Sequence, residues 1–134
     1  MTEKSKILVV DDEEFNLDIL TDCLTEVGYD IISATDGLIA LKKLEEHPDV
    51  SVIILDRMMP HMDGTEALDA IKKDARFKNI PVIMQTAAAS NEQLNKWLDR
   101  GVYSNLIKPF DIATLLNIVD SASKEISDQI KIKA

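Results

Sequence analysis

The chain lacks most of what would tie it to a membrane, a nucleic acid or an oxidising compartment. Its single cysteine, Cys23, cannot form an internal disulfide. No apolar run approaches the roughly 20 residues needed to cross a bilayer. The opening MTEKSK has no signal-peptide apolar core. Positive charge is scarce: 15 Lys and Arg stand against 24 Asp and Glu, a formal net charge of −9. That charge repels phosphate backbones, so no direct contact with nucleic acid and none with a membrane is expected. Aromatics are only 4% while hydrophobic residues reach 46%, so the core must be aliphatic. Neither an internal repeat nor a low-complexity tract interrupts the 134 residues. One domain of a soluble, cytoplasmic protein is the expectation.

What is present is an alternation of apolar periods. KILVV reads as a buried strand. Leu20, Cys23, Leu24 and Val27 then recur at helical spacing, and Gly28 ends that helix. On that face Cys23 reads as a buried small hydrophobe rather than a reactive thiol. YDIIS is a second, more exposed strand, and Ala40, Leu41 and Leu44 mark a helix stopped before Pro48. SVIIL is apolar on both faces, as an internal parallel strand must be. Ala67, Leu68 and Ile71 mark a third helix, with Asp63 and Glu66 in capping-box spacing at its start. PVIMQ is the fourth strand, with Pro81 at its first position. Ser90 and Gln93 frame a fourth helix carrying Leu94, Trp97 and Leu98 and ending at Gly101. VYSNLI is the fifth strand. Asp111 would cap a last helix with Ile112, Leu115, Leu116 and Val119, and Ala122, Ile126 and Ile130 extend its stripe.

Strands alternating with helices imply an α/β fold, a doubly wound five-stranded parallel sheet with helices on both faces. Right-handed crossovers and a reversal after the first unit give the order 2-1-3-4-5, by rule and by analogy with known flavodoxin-like sheets. A parallel sheet lines up the C-terminal ends of its strands on one edge. Asp11 and Asp12 follow ILVV, Asp56 follows VIIL, and Lys108 and Pro109 follow NLI. Three carboxylates and an ammonium would therefore meet in one crevice. Crowded carboxylates repel unless a cation joins them, and a hard, oxygen-seeking ion such as Mg²⁺ is the expected one. Lys108 is a flexible point charge suited to a phosphoryl oxygen. Thr86, ending the fourth strand, could donate to the same group. Glu13 and Glu14 fit better as partners of the helix dipole.

These residues resemble the response-regulator receiver domain of two-component signalling. VVDDEE, IILDRMMPHMDG, PVIMQTA and LIKPF occur together, in order and at strand ends, within about Lys6 to Val119. The resemblance implies a receiver domain over 1–121 and a C-terminal helical extension or linker over 122–134. It implies that Asp56 is the phosphoacceptor, that Asp11 and Asp12 bind Mg²⁺ with the backbone carbonyl of Met58, and that Thr86 and Lys108 contact the phosphoryl group. It also implies a cis Lys108–Pro109 bond. The donor would be a sensor histidine kinase or a histidine phosphotransfer protein. The reader of the signal would be an output domain, an effector protein or a second copy in a phosphorylation-dependent homodimer. Phe15 and Phe110 could flank the crevice where the donor docks. Trp97 reads either as core filler or as part of the rim of a partner surface on the fourth helix, fifth strand and fifth helix.

One position departs from the family pattern. An aromatic residue usually stands three places before the lysine, and here Asn105 does. Tyr103, two residues earlier, would share its strand face and could take part of its role. Ala87 and Ala88 after Thr86 would leave the crevice open to small donors and water.

Three rivals are weaker. An aspartyl-nucleophile phosphatase wants a second acid two residues after the nucleophile, where Met58 cannot transfer a proton. A flavin or nucleotide binder wants a glycine-rich first turn, where VVDDEEF offers acids. A degenerate scaffold would not be expected to keep all five site positions. The expected function is a phosphorelay switch that catalyses only its own phosphorylation and dephosphorylation.

Overall fold

The computed structural model describes residues 5–57, 62–87 and 90–133, with side chains as far as Lys124. Strands and helices alternate strictly: β1 (Lys6–Val10), α1 (Glu14–Glu26), β2 (Asp30–Ala34), α2 (Gly37–Glu46), β3 (Val50–Asp56), α3 (Gly64–Lys73), β4 (Val82–Thr86), α4 (Asn91–Asp99), β5 (Ser104–Ile107) and α5 (Ile112–Lys133). The strands form one parallel sheet in the order β2-β1-β3-β4-β5. This is the doubly wound, flavodoxin-like order expected from the crossover rule.

Period-two alternation sends each strand's side chains to two separate apolar layers. Leu8, Val10, Ile53, Leu55, Val82 and Met84 pack under α2, α3 and α4, against Leu44, Leu68, Ile71 and Trp97. Ile7, Val9, Val52, Ile54, Ile83 and Leu106 pack under α1 and α5, against Leu17, Leu20, Leu24, Leu115 and Val119. The central strands β1, β3 and β4 are buried on both faces, and the edge strand β2 is the more exposed one.

Helix starts follow the cap chemistry read from the chain. Asp63 accepts from the Glu66 N–H at 2.9 Å, Ser90 from the Gln93 N–H at 3.2 Å and Asp111 from the Thr114 N–H at 2.7 Å. Each satisfies a donor that the helix cannot satisfy internally. Asp36 caps α2 in the same way. Gly28 and Gly101, placed just past helix ends, take positive φ of 104° and 96°.

Three details differ from the reading of the sequence. Leu20 and Leu24 are fully buried, but Cys23 is only half-buried and Val27 is 53% exposed. Leu17 completes the buried stripe instead, and α1 stops at Glu26, which leaves Val27 in the cap. β5 begins at Ser104, not Val102, because the Val102 N–H turns back to the Trp97 carbonyl to close α4. α5 runs unbroken past residue 121, and Ala122 is fully buried with Leu115 and Val119 rather than lying beyond the core. Ile126 and Ile130 lie outside the residues with described side chains.

Gly64 is the most tightly enclosed of the four glycines. A Cβ there would stand 2.3 Å from the Asp56 carbonyl oxygen and 2.8 Å from the Arg57 Cα. Its N–H donates to the Arg57 carbonyl at 2.8 Å, so α3 starts directly against the end of β3. Both obstacles are backbone and cannot rotate away. Gly64→Ala is expected to destabilise the fold by about 3 kcal/mol through overpacking. Urea denaturation measures this, and wild-type stability in the variant would contradict the close approach.

Candidate functional site

The strand register sets the site. Val10 pairs with Leu55, Asp56 with Gln85, and Thr86 with Ile107, so β1, β3, β4 and β5 end level with one another. The next residues are locked across the edge by backbone bonds. The Asp11 N–H donates to the Ala34 carbonyl at 3.0 Å, the Arg57 N–H to the Gln85 carbonyl at 3.0 Å, and the Lys108 N–H to the Thr86 carbonyl at 2.8 Å. Asp11, Asp56, Thr86 and Lys108 are thereby brought to one place from four strands, as the topology demands of ligand sites in such sheets. The Lys108–Pro109 bond is cis.

Asp11 is fully buried, Asp56 is 5% exposed, and Asp12 is exposed. Oxygens of Asp11, Asp12 and Asp56 all lie within 4.8 Å of one another, a group that could hold a metal ion. The donor set is entirely carboxylate oxygen, which suits a hard divalent cation and not a soft one. Met58, expected to add its carbonyl, lies outside the described residues, as does Ala88. Lys108 Nζ stands 3.3 Å from Asp56 Oδ1 and 3.9 Å from Asp11 Oδ2. Burial, and then the neighbouring Asp11 charge, push the Asp56 carboxyl up from 3.8 to about 6, against the pull of Lys108. The lone lysine therefore does not neutralise the acids, and a further positive charge would relieve them.

Thr86 is 2% exposed, and its hydroxyl has no hydrogen-bond partner among the described residues. An unpaired buried hydroxyl costs about 1–3 kcal/mol. A donor held free at the rim of an anionic crevice is the arrangement that an incoming oxyanion would complete. Ala87, next along the chain, is exposed.

The sequence overlooked two residues here. Asn16 Nδ2 on α1 donates to Asp11 Oδ2 and lies 3.4 Å from Gln85 Oε1. The other Asp11 oxygen accepts the Glu13 N–H at 2.9 Å and so helps to start α1. Gln85 is fully buried, and its Nε2 has no partner among the described residues. A signal was available: a glutamine inside an otherwise apolar two-faced strand must find polar company. Asn16, one helical turn before Leu20, had to face inward.

The expected partner-surface residues are scattered. Trp97 is 6% exposed within the α2–α3–α4 layer, and the Arg57 guanidinium sits 5.0 Å over its ring. Of the two readings of Trp97, its burial matches core filler and not the rim of a partner surface. Phe15 is 78% exposed at the start of α1, whereas Phe110 is half-buried against the α1–α5 layer. Asn105 turns toward α4, where its Nδ2 donates to the Leu94 carbonyl at 3.3 Å. Tyr103 does not share that face. It precedes the shortened β5 and packs against the α1–α5 layer, although it also edges a cavity of about 690 Å³ with Leu94, Leu98 and Asn105. The strand-periodicity argument fails because Tyr103 is not in the strand.

Comparison with known proteins identifies the family and the fold. A family model described as the response regulator receiver domain matches residues 7–120. Over 106 residues the chain is 37% identical to the chemotaxis protein CheY1 of Helicobacter pylori, which covers 78% of this chain and 86% of that protein. It is 36% identical over 121 residues to the chemotaxis protein CheY-3 of Vibrio cholerae, covering 90% of this chain and 92% of the relative. The solved structure of Vibrio cholerae chemotaxis protein CheY4 superimposes with a TM-score of 0.83 at 32% identity, covering 90% of this chain and 99% of that one.

The raised Asp56 carboxyl has a measurable cost without metal. The folded form holds that proton more tightly than the unfolded chain does, so its contribution to stability is full below pH 4 and is lost as pH rises to about 6. In EDTA, Asp56→Asn should be more stable than wild type at pH 7 by roughly 2 kcal/mol, and the gap should close toward pH 4. Urea titrations across that range test this. An equal gap at both ends would mean that the carboxyl is not perturbed.

Proposed function

Because the chain belongs to the response regulator receiver domain family of signalling modules, we propose that it is a phosphorelay receiver. In this reading Asp56 takes a phosphoryl group from a phosphohistidine on a sensor histidine kinase or histidine phosphotransfer protein. The observation that carries it is the pairing of Lys108 Nζ, 3.3 Å from Asp56 Oδ1, with the buried hydroxyl of Thr86 at the neighbouring strand end, which has no partner among the described residues.

The chemistry follows from the residues. An Asp56 carboxylate oxygen forms the new P–O bond while the donor's P–N bond breaks, and the imidazole leaves with that bond's electron pair. Asp56 is largely ionised at neutral pH, as a nucleophile must be, even with its carboxyl raised to about 6. Charge building on the phosphoryl oxygens is met by the Lys108 ammonium, already beside Asp56, and by the Thr86 hydroxyl from the neighbouring strand end. Asp11, Asp12 and Asp56, with the carbonyl of Met58, would hold Mg²⁺, which supplies the positive charge that lets carboxylate and phosphoryl group approach. Asp11 and Asp12 take no part in bond making. The only catalysis in this reading is of the protein's own phosphorylation and hydrolysis.

The product adds a charge approaching −2 where Lys108 and Thr86 can reach it. Their movement toward it biases β4, β5 and α4 between pre-existing arrangements. The surface offered to an output domain, an effector protein or a second copy is then the one on α4, β5 and α5. Asn105 has no ring to swing there.

Two measurements test the reading. With a radiolabelled phosphohistidine donor, wild type should label and Asp56→Asn should not. Lys108→Ala should label roughly a hundredfold more slowly, and Asp12→Asn should need more Mg²⁺. Beryllofluoride with Mg²⁺ should shift the amide spectrum of wild type. Full labelling of Asp56→Asn would move the acceptor elsewhere, and an unchanged beryllofluoride spectrum would leave a scaffold.

A further inference from the structure

We propose that Asn16 and Gln85 are positioning residues that hold the Asp11 carboxylate in the attitude needed for the divalent cation; this rests on the metal reading above. Only one orientation of the two amides satisfies the contacts around Asp11. An ionised carboxylate accepts and cannot donate, so Asn16 must present its NH₂ to Asp11 Oδ2. That nitrogen carries two hydrogens, and the second is available to Gln85 Oε1 at 3.4 Å. Gln85 must then turn its own NH₂ away, into a fully buried position where no described residue accepts from it. Flipping Gln85 to satisfy that donor would set NH₂ against NH₂.

Among the described residues the fold thus leaves a buried donor unpaired, which is destabilising, while it keeps an acceptor behind Asn16. A local rule broken without a gain in stability marks a functional constraint. Both residues are neutral. They can orient Asp11 without cancelling the charge that draws a cation, as a lysine or arginine would. Both Asp11 oxygens are held, one by the Glu13 N–H and one by Asn16, which leaves lone pairs on each for a metal. Gln85 pairs with Asp56 in the register and directly precedes Thr86. The Asp11 carboxylate is therefore referenced to the same strand end that presents the Thr86 hydroxyl.

The test uses the intact protein with Mn²⁺ as probe, counting free ion by electron paramagnetic resonance. Gln85→Met keeps the volume and removes both the acceptor and the orphan donor. It is expected to melt at or above the wild-type temperature yet bind Mn²⁺ about tenfold more weakly. Asn16→Leu should lose at least as much, and the double variant no more than Asn16→Leu alone, because Gln85 acts through Asn16. In EDTA, Gln85→Met should displace the Asn16 side-chain amide signal in ¹⁵N spectra. Unchanged Mn²⁺ affinity in Gln85→Met, losses that add in the double variant, or an unmoved Asn16 amide would each overturn the proposal. A melting temperature that falls in step with affinity would reduce the pair to a structural role and overturn it too. Wild type that takes up no Mn²⁺ would instead defeat the metal reading, and the positioning role with it, whatever the variants show.

Discussion

Repulsion between acidic groups at the ends of adjacent parallel strands is the constraint around which the molecule is arranged. Asp11 and Asp56 are held in a crevice with little solvent, and oxygens of the acidic group lie within 4.8 Å of one another. At an effective dielectric constant near 20, two full charges at that range repel by about 3 kcal/mol. Lys108 offsets part of this from one side. The rest is carried by the backbone: β1 and β3 are paired along their length, and the apolar layers on both faces prevent the strands from spreading. Aliphatic burial is thus what keeps the charges close, and the closeness is what gives the site its appetite for cations and its responsiveness to a new anion.

The same arrangement explains why polar groups around the crevice are left incompletely paired. The Thr86 hydroxyl and Gln85 Nε2 are buried without partners among the described residues, and Asn105 Oδ1 joins them on the next strand. Folded proteins satisfy nearly all such groups. Two of these three, Gln85 and Thr86, close the C-terminal end of β4, and they locate the part of the sheet that is under functional rather than structural demand. Elsewhere α2, α3, α4 and α5 begin with ordinary side-chain caps.

Much of this was legible in the chain. The strand runs are apolar, end on chemically distinctive residues and are separated by helix-length segments. That is enough to place Asp11, Asp56, Thr86 and Lys108 on one edge once the sheet is taken as parallel. Caps at Asp63, Ser90 and Asp111 were readable because one side chain and one N–H decide each. Harder to see was anything decided across elements. Whether Tyr103 lay in β5 depended on how α4 ended, through the Val102 N–H and the Trp97 carbonyl. Cys23 and Val27 depended on where α1 stopped against the sheet. Asn16 and Gln85 are far apart in sequence and meet only in the folded protein, so their amides looked like unrelated polar residues.

The contact between Arg57 and Trp97 has an optical consequence. Arg57 is the immediate chain neighbour of Asp56, and its guanidinium lies 5.0 Å over the ring of the chain's one indole. Emission from an indole depends on the charge above it and on its shielding from water. Any displacement of the backbone just after Asp56 that drags this cation aside will be written into the intrinsic fluorescence of the molecule, with no dye attached and no competing tryptophan to obscure it.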